Sequence, residues 1–320
     1  MLKYTLKRLA LLIPIVIAVS ILVFLVIKMI PGDPVQIMFG KSANPEQVAY
    51  VRTLYGLDKP LVEQYFTWVG NLLRGDWGQS IQTGESVYGL IMERMPRTFA
   101  LCICGILVAL IISIPSGIAC AKHHNKLADL VITFFNLVFI SVPGFWLGVI
   151  FMILFAVKLK WLPTSGYVPI AESLGGWVKC MILPTVTTAA TFFASLSRLM
   201  RSSMLEVLQQ DYIALARIKG NPERRVYYIH ALRNSLIPLI TNIGLQMGYL
   251  IGGVVVIEKV FSYPGLGLLL ITSITRRDYP TIQGILLIIA ILIVIINLIT
   301  DLTYMLVDPK VRFGFGKSLA

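Results

Sequence analysis

Long apolar runs separated by short polar ones dominate this chain. Six of them, at about Leu9–Ile30, Phe99–Ala121, Leu130–Val157, Met181–Leu199, Leu236–Ile257 and Ile282–Leu306, are long enough to cross a bilayer. A helix needs roughly 20 residues to cover about 30 Å of hydrocarbon. The two-residue alternation of a barrel strand is not seen in these runs. The pattern therefore predicts an all-α integral membrane protein with six transmembrane helices. Pro115, Pro143, Pro184 and Pro238 lie in or at the ends of spans and predict local kinks there.

The polar stretches between the runs are unequal. Asp211 to Pro238 begins as a polar hairpin between the fourth and fifth spans. Tyr212, Leu215, Ala216 and Lys219 recur at helical spacing, which predicts a short helix with an apolar face and a basic end. Gly220 stands where that helix should stop, because a residue without Cβ enters the left-handed conformation cheaply. Asn221 and Pro222 then suit an N-cap and a first-turn proline for a second helix. From spacing alone this is either a docking surface or an ordinary basic loop. The stretch from Pro31 to Thr98 is the largest extramembrane piece. It predicts two short amphipathic helices, one from Pro45 to near Gly56 after Asn44. The other starts at Pro60 and carries Val62, Tyr65, Phe66 and Val69 on one side. Such a piece either packs on its own spans or meets an external partner.

Composition agrees with the pattern: 57% of residues are hydrophobic, 14% are charged and mean hydropathy is +0.79. The net charge of +12 would suggest nucleic acid in a soluble protein, but here the basic residues sort by side. Fifteen of the 28 Lys and Arg fall in the N-terminal tail, the connection with Lys122 and Lys126, the loop from Arg198 to Arg233 and the C-terminal tail. These segments are short, and the loops opposite hold fewer basic residues over more chain. The positive-inside rule then puts both termini and the hairpin in the cytoplasm and Pro31–Thr98 outside. The first run is longer than a signal-peptide core and ends in IPGDP without a cleavage site, so it reads as a span. Cys102, Cys104, Cys120 and Cys180 predict no disulfide framework, and His123–His124 reads as a solvated loop pair rather than a metal site.

Motifs for hydrolysis or phosphate binding are missing, so no enzyme chemistry is expected. Asp301 reads as the one acid well inside a span, and with Asp308–Pro309 it suits a tie at a helix end. That scarcity argues against a self-powered carrier and for energy arriving from another subunit. The polar residues available to a pathway are Ser141, Ser195 and Ser197, with Asn242 and Gln246 one turn apart on a face shared with Tyr249 and Gly253. They would suit a water-lined passage or serve equally as interhelical glue.

Several segments in order also carry a resemblance. They are LKYTLKRLALLIPIVIAVSILVFLVIKMIPGDP (Leu2–Pro34), YGLDKPLVEQYFTWVGNLLRGDWGQS (Tyr55–Ser80), ERMPRTFAL (Glu93–Leu101) and WLPTSGY (Trp161–Tyr167). ALRNSLIPLIT (Ala231–Thr241), GGVVVIEKVFSYPGLGLLL (Gly252–Leu270), RDYPTIQG (Arg277–Gly284) and DLTYMLVDPKVR (Asp301–Arg312) complete the series. Together they resemble the first permease subunit of dipeptide, oligopeptide and nickel ABC importers, and the hairpin resembles that family's EAA loop. The EAA pattern is only partly met, with Asp211 near the acidic position, Ala214 and Ala216 as small residues, and Pro238 later than the usual proline.

The resemblance implies a type I ABC importer permease fold with a large extracytoplasmic loop after the first helix. Residues 1–98 would hold the first helix and that loop. Residues 99–308 would form a five-helix core containing a coupling loop at 201–235, and residues 309–320 a cytoplasmic tail. It implies import of short peptides or nickel complexes, a second homologous permease, two ATP-binding subunits and an extracytoplasmic solute-binding protein, with no nucleic acid. Asp211, Tyr212, Ala214, Ala216, Arg217 and Gly220 would dock an ATPase subunit. Ser141, Ser195, Asn242 and Gln246 would line the pathway. This chain would carry no cofactor or metal, ATP–Mg residing in the ATPase subunits, and would sit in the cytoplasmic membrane of a prokaryote.

Overall fold

The computed structural model describes residues 2–29, 46, 53 and 58–307. Apart from Glu46 and Thr53, the expected helix from Pro45 to Gly56 lies outside the described residues, as do Asp308–Pro309 and the C-terminal tail. Among those described, helices dominate and the only β pairing is an isolated bridge between Gln79 and Ser86. In order the helices are α1 (Leu2–Met29), α2 (Leu61–Leu73), α3 (Val87–Lys122) and α4 (Leu127–Ser141). They continue as α5 (Gly144–Lys158), α6 (Leu174–Leu208), α7 (Asp211–Ile218) and α8 (Glu223–Val260), then α9 (Leu266–Arg276) and α10 (Tyr279–Val307).

Helices α1, α3, α6, α8 and α10 are each long and apolar enough to cross a membrane, and α4 with α5 makes a sixth passage if the bent pair is one span. Three of them outrun the bilayer. α3, α6 and α8 have 36, 35 and 38 residues, or roughly 52–57 Å at 1.5 Å per residue. Hydropathy finds only their apolar middles, because polar turns extend the same helix into water without changing its hydrogen bonding.

The third span differs from expectation. Leu130–Val157 reads in sequence as one kinked helix, whereas α4 and α5 meet at 103°. Val142 (ψ 129°) and Pro143 (ψ 134°) are extended. Proline pushes the residue before it out of the helical region and offers no N–H, so α4 stops at Ser141. Two stretches are π-helical, Met152–Lys158 in α5 and Val226–Ala231 in α8. No periodicity argument foresees such turns, which widen the hydrogen-bonded ring by one residue.

The chain divides into two compact units. One comprises residues 1–97 and 265–295, the other 98–264 and 296–320. In the first, α2 lies on α1 through Tyr65, whose hydroxyl is 2.8 Å from Ser20 Oγ and whose ring meets Phe24 edge-on at 5.6 Å. Trp68 also stacks near Phe24; of the expected side Tyr65 packs and Val69 is half-buried, while Val62 and Phe66 are exposed, so the packed face is turned toward Trp68. Its core gathers Ile27, Val87, Ile91, Leu266, Leu270, Tyr279, Ile282 and Ile285. Asp278, almost fully buried, accepts from Ser80 Oγ (2.5 Å), Ile81 N (3.0 Å) and Thr281 Oγ1 (2.8 Å). Those bonds fix the 80–82 loop to the start of α10.

In the second unit α3 packs on α6 along small residues. A Cβ on Gly105 would stand 2.5 Å from Thr188 Cγ2, and one on Gly117 would stand 2.6 Å from Met200 Cβ. Ala109 and Ser113, fully buried, lie between them. Small residues let helix backbones approach where lipid supplies no hydrophobic drive. Two apolar clusters complete the unit, one around Leu101, Leu250, Phe261 and Tyr263, the other around Met200, Met204, Ile213, Val226 and Ala231.

Candidate functional site: a docking hairpin and an amide cluster

The hairpin is built on a helix end of the expected kind. Gly220 takes φ +76°, its N–H donates to Arg217 O (2.9 Å), and Asn221 N–H reaches back to Ala216 O (3.3 Å). These are the two bonds of a Schellman stop. Asn221 is not the N-cap of α8. Its side chain donates to Ala216 O (2.9 Å), closing α7, and Pro222 (ψ 145°) occupies the cap position before Glu223. An asparagine just past a helix can serve the carbonyls behind it as readily as the amides ahead.

The faces of α7 also differ from the spacing argument. Ile213 is completely buried in the cluster with Met204, Val226 and Ala231, and Ala216 is buried as well. That burial contributes about 2–3 kcal/mol and seats the helix. Tyr212 (41% exposed), Leu215 (50%) and Ile218 (81%) face out. Of the expected docking residues, Asp211, Tyr212, Ala214, Arg217 and Gly220 are exposed and Ala216 is the inward anchor. Arg217 pairs with Glu223 across the turn (Nε–Oε1 2.9 Å), and Asn234 Nδ2 donates to Tyr212 Oη at 2.6 Å. The hairpin is thus a closed unit presenting an apolar outer face.

Three of the four expected pathway residues come together. Gln246 on α8 donates through Nε2 to Ser195 Oγ on α6 (2.9 Å) and to Asn242 Oδ1, one turn away on its own helix. All three are partly exposed. Gln246 Oε1 and Asn242 Nδ2 keep one free acceptor and one free donor among the described residues. Ser141 stands apart: exposed at the end of α4, it donates to Leu137 O (2.8 Å). Ser197 faces elsewhere, against Ser116 Oγ (2.9 Å) and Asn136 Nδ2 (3.1 Å).

Two charged ties escaped the sequence reading. Asp129 on α4 is buried and accepts Arg201 Nε (2.7 Å) and Nη2 (2.8 Å) from α6, Asn125 N (3.0 Å) from the preceding turn, and lies 3.4 Å from His124 Nδ1. Glu258, fully buried near the end of α8, accepts from Thr98 Oγ1 (2.7 Å). Both acids lie at helix ends, Asp129 in the first turn of α4 and Glu258 in the last turn of α8, and of Asp301 the structure describes only the helical backbone. No group of three or more His, Cys, Asp or Glu among the described residues could hold a metal, and all four cysteines are free. His123 instead meets Ala119 O at 3.1 Å.

The stretches singled out in sequence meet in space. Ser80 of RGDWGQS bonds Asp278 of RDYP. Thr98 of ERMPRTFAL bonds Glu258 of VVVIEKVF, and Tyr167 of WLPTSGY stacks edge-on with Tyr263 of FSYPG at 5.5 Å. Residues 113–313 match the family described as "Binding-protein-dependent transport system inner membrane component". Residues 1–102 match its companion, "Binding-prot-dependent transport system membrane comp, N-term". The chain belongs to this family of ABC importer permeases.

The permease is 40% identical over 316 residues to the oligopeptide transport system permease protein AppB of Bacillus subtilis (strain 168), covering 98% of this chain and 100% of that one. It is 38% identical over 333 residues to the di/tripeptide transport system permease protein DppB of Pseudomonas aeruginosa (strain UCBPP-PA14), with 98% and 99% covered. In fold it is similar to a chain from the "Crystal structure of an amino acid ABC transporter with histidines", at a TM-score of 0.51 and 12% identity, covering 70% of this chain and 94% of that one. The permease is a multi-pass inner-membrane transporter subunit, not an enzyme. Its family works with ATPase subunits and a solute-binding protein.

Proposed function

We propose that this permease forms half of the translocation path of an importer for short peptides and docks an ATPase subunit through α7. The observation that carries the docking role is the outward apolar face of α7, Tyr212, Leu215 and Ile218, on a helix otherwise anchored by Ile213 and Ala216. An exposed apolar patch on a closed polar hairpin fits a protein partner. Asp211, Ala214, Arg217 and Gly220 would edge that contact. The names of the relatives favour peptides over nickel complexes as cargo.

In this reading a second homologous permease supplies the other half of the path, two ATPases bind ATP–Mg inside, and a solute-binding protein delivers cargo outside. This chain holds no cofactor or metal. Both termini and α7 face the cytoplasm, and the 31–98 segment faces out. Residues 99–308 act as the moving core, with the coupling loop at 201–235 and a cytoplasmic tail at 309–320. Closure of the ATPases presses α7, and α6, joined to it by Gln209 and Gln210, carries that displacement into the membrane. Ser195, Asn242 and Gln246 meet the passing solute.

The test is reconstitution of both permeases and both ATPases in liposomes, with binding protein outside. ATP-dependent uptake of a labelled tripeptide is expected. Uptake of a nickel chelate in its place would correct the cargo, and uptake by this permease without ATPases would overturn the function.

A further inference from the structure

Between α5, α6 and α8 lies a cavity of about 240 Å³ whose lining is almost wholly apolar, including Phe145, Thr191, Phe192, Gly253, Val256 and Ile257. Both threonines there have their hydroxyl protons engaged: Thr191 Oγ1 donates to Thr188 O at 2.7 Å, with its methyl group toward Gly144, and Thr188 Oγ1 donates to Pro184 O at 2.8 Å. The Thr191 methyl lies 2.5 Å from where a Cβ on Gly144 would stand, so the break after Pro143 sets one wall. Gly253 has nothing within 4 Å of an added Cβ, and both it and Val256 are exposed at the mouth.

The place of this cavity relative to the amide cluster is informative. Gly253 is seven residues from Gln246 on α8, and Thr188, which also lines the cavity, is seven residues from Ser195 on α6. Seven residues are two turns, roughly 10 Å. Cavity and amides therefore lie on the same faces of the same two helices, two turns apart. An extended chain rises about 3.3–3.6 Å per residue, so three residues of peptide cover that gap. The amide cluster offers one free acceptor, Gln246 Oε1, and one free donor, Asn242 Nδ2, which is what one backbone N–H and one C=O require.

We propose that the cavity is a side-chain pocket for cargo. It would take one apolar side chain of a peptide whose backbone, about three residues away, is held by Asn242 and Gln246. This rests on the peptide reading above and adds a selectivity to the permease itself. A pocket of this size accommodates a leucine or phenylalanine side chain, and charged side chains are excluded because nothing in the lining would pair them.

The experiment measures uptake by the complete reconstituted transporter of two tripeptides, triglycine and glycyl-glycyl-phenylalanine, each with the same binding protein. Dividing variant uptake by wild-type uptake for each peptide cancels the binding protein's own preference. Gly253→Leu and Val256→Trp each fill the cavity from a different position. Both should lower the phenylalanine-to-glycine uptake ratio about tenfold, the size expected from losing burial of one apolar side chain. Any assembled, ATP-hydrolysing variant with an unchanged ratio overturns the pocket, including the case where a lipid chain occupies it. Absence of any peptide uptake by the wild type would instead overturn the cargo reading, and the pocket with it.

Discussion

Helix α6 presents two opposite polar faces, and they differ in how completely their groups are used. On one, Arg201 is held bidentately by buried Asp129, and Ser197, fully buried, is tied to Ser116 and Asn136. On the other, Ser195 meets Gln246 and Asn242 in a partly exposed cluster of neutral side chains, with an open apolar cavity two turns away. A buried carboxylate held bidentately by a guanidinium fixes two helices in one relation. Neutral amides with free lone pairs and protons can exchange partners at little cost. The first face suits a strut that carries displacement from the hairpin; the second suits contact with something that passes through.

The sharpest way to break this contrast is to unpair the strut. Asp129→Ala leaves the Arg201 guanidinium without its carboxylate and should cost about 2–3 kcal/mol, less than for a fully buried pair because Arg201 is a quarter exposed. Thermal unfolding of the purified complex should show a large drop, with Arg201→Met in the same chain recovering part of it. A null result would mean the pair is solvated and the strut is elsewhere.

A smaller effect is expected at the hairpin. At φ +76° a β-branched residue is strained by about 1–2 kcal/mol, and open space around Gly220 leaves that strain as the only cost within the chain. Gly220→Val should leave the spans inserted while weakening co-purification of the ATPases or uncoupling their hydrolysis from uptake. Gly220→Asn should be tolerated better, since asparagine enters the left-handed region more readily.

The least effect on stability belongs to the open face. Changing Asn242 and Gln246 together to Leu removes neutral hydrogen bonds worth about 1 kcal/mol or less in a membrane interior. The unfolding midpoint should barely move, yet peptide uptake should fall at least tenfold with ATP hydrolysis retained. A loss of stability as large as that of Asp129→Ala, with uptake per assembled complex unchanged, would make the amides packing residues and erase the distinction between the faces.

The contrast also explains what was legible in the sequence. Apolar run lengths and the Gly220 stop depend on local chemistry, so the five long spanning helices and the helix end can be read directly. Gln246 and Asn242 share a helix face, so their meeting was readable, and Ser195 joins them from the facing helix. Asp129 and Arg201 are 72 residues apart, and Ser80 and Asp278 are 198 apart. Nothing local in a single chain marks such pairs as partners. The sharp bend at Val142–Pro143 was underestimated because a proline marks where a helix is interrupted without saying how far it turns. On α7 the apolar residues run nearly all round the helix, so spacing alone could not say that Ile213 goes in and Leu215 stays out.

The docking of α7 is the claim on which the strut and the pathway both depend. A photo-activatable residue in place of Leu215, in the assembled transporter, tests it directly. The account predicts a covalent adduct between the permease and an ATPase subunit, and none when the same residue replaces buried Ile213. An assembled complex that hydrolyses ATP and takes up peptide, yet gives no adduct from position 215, would contradict it.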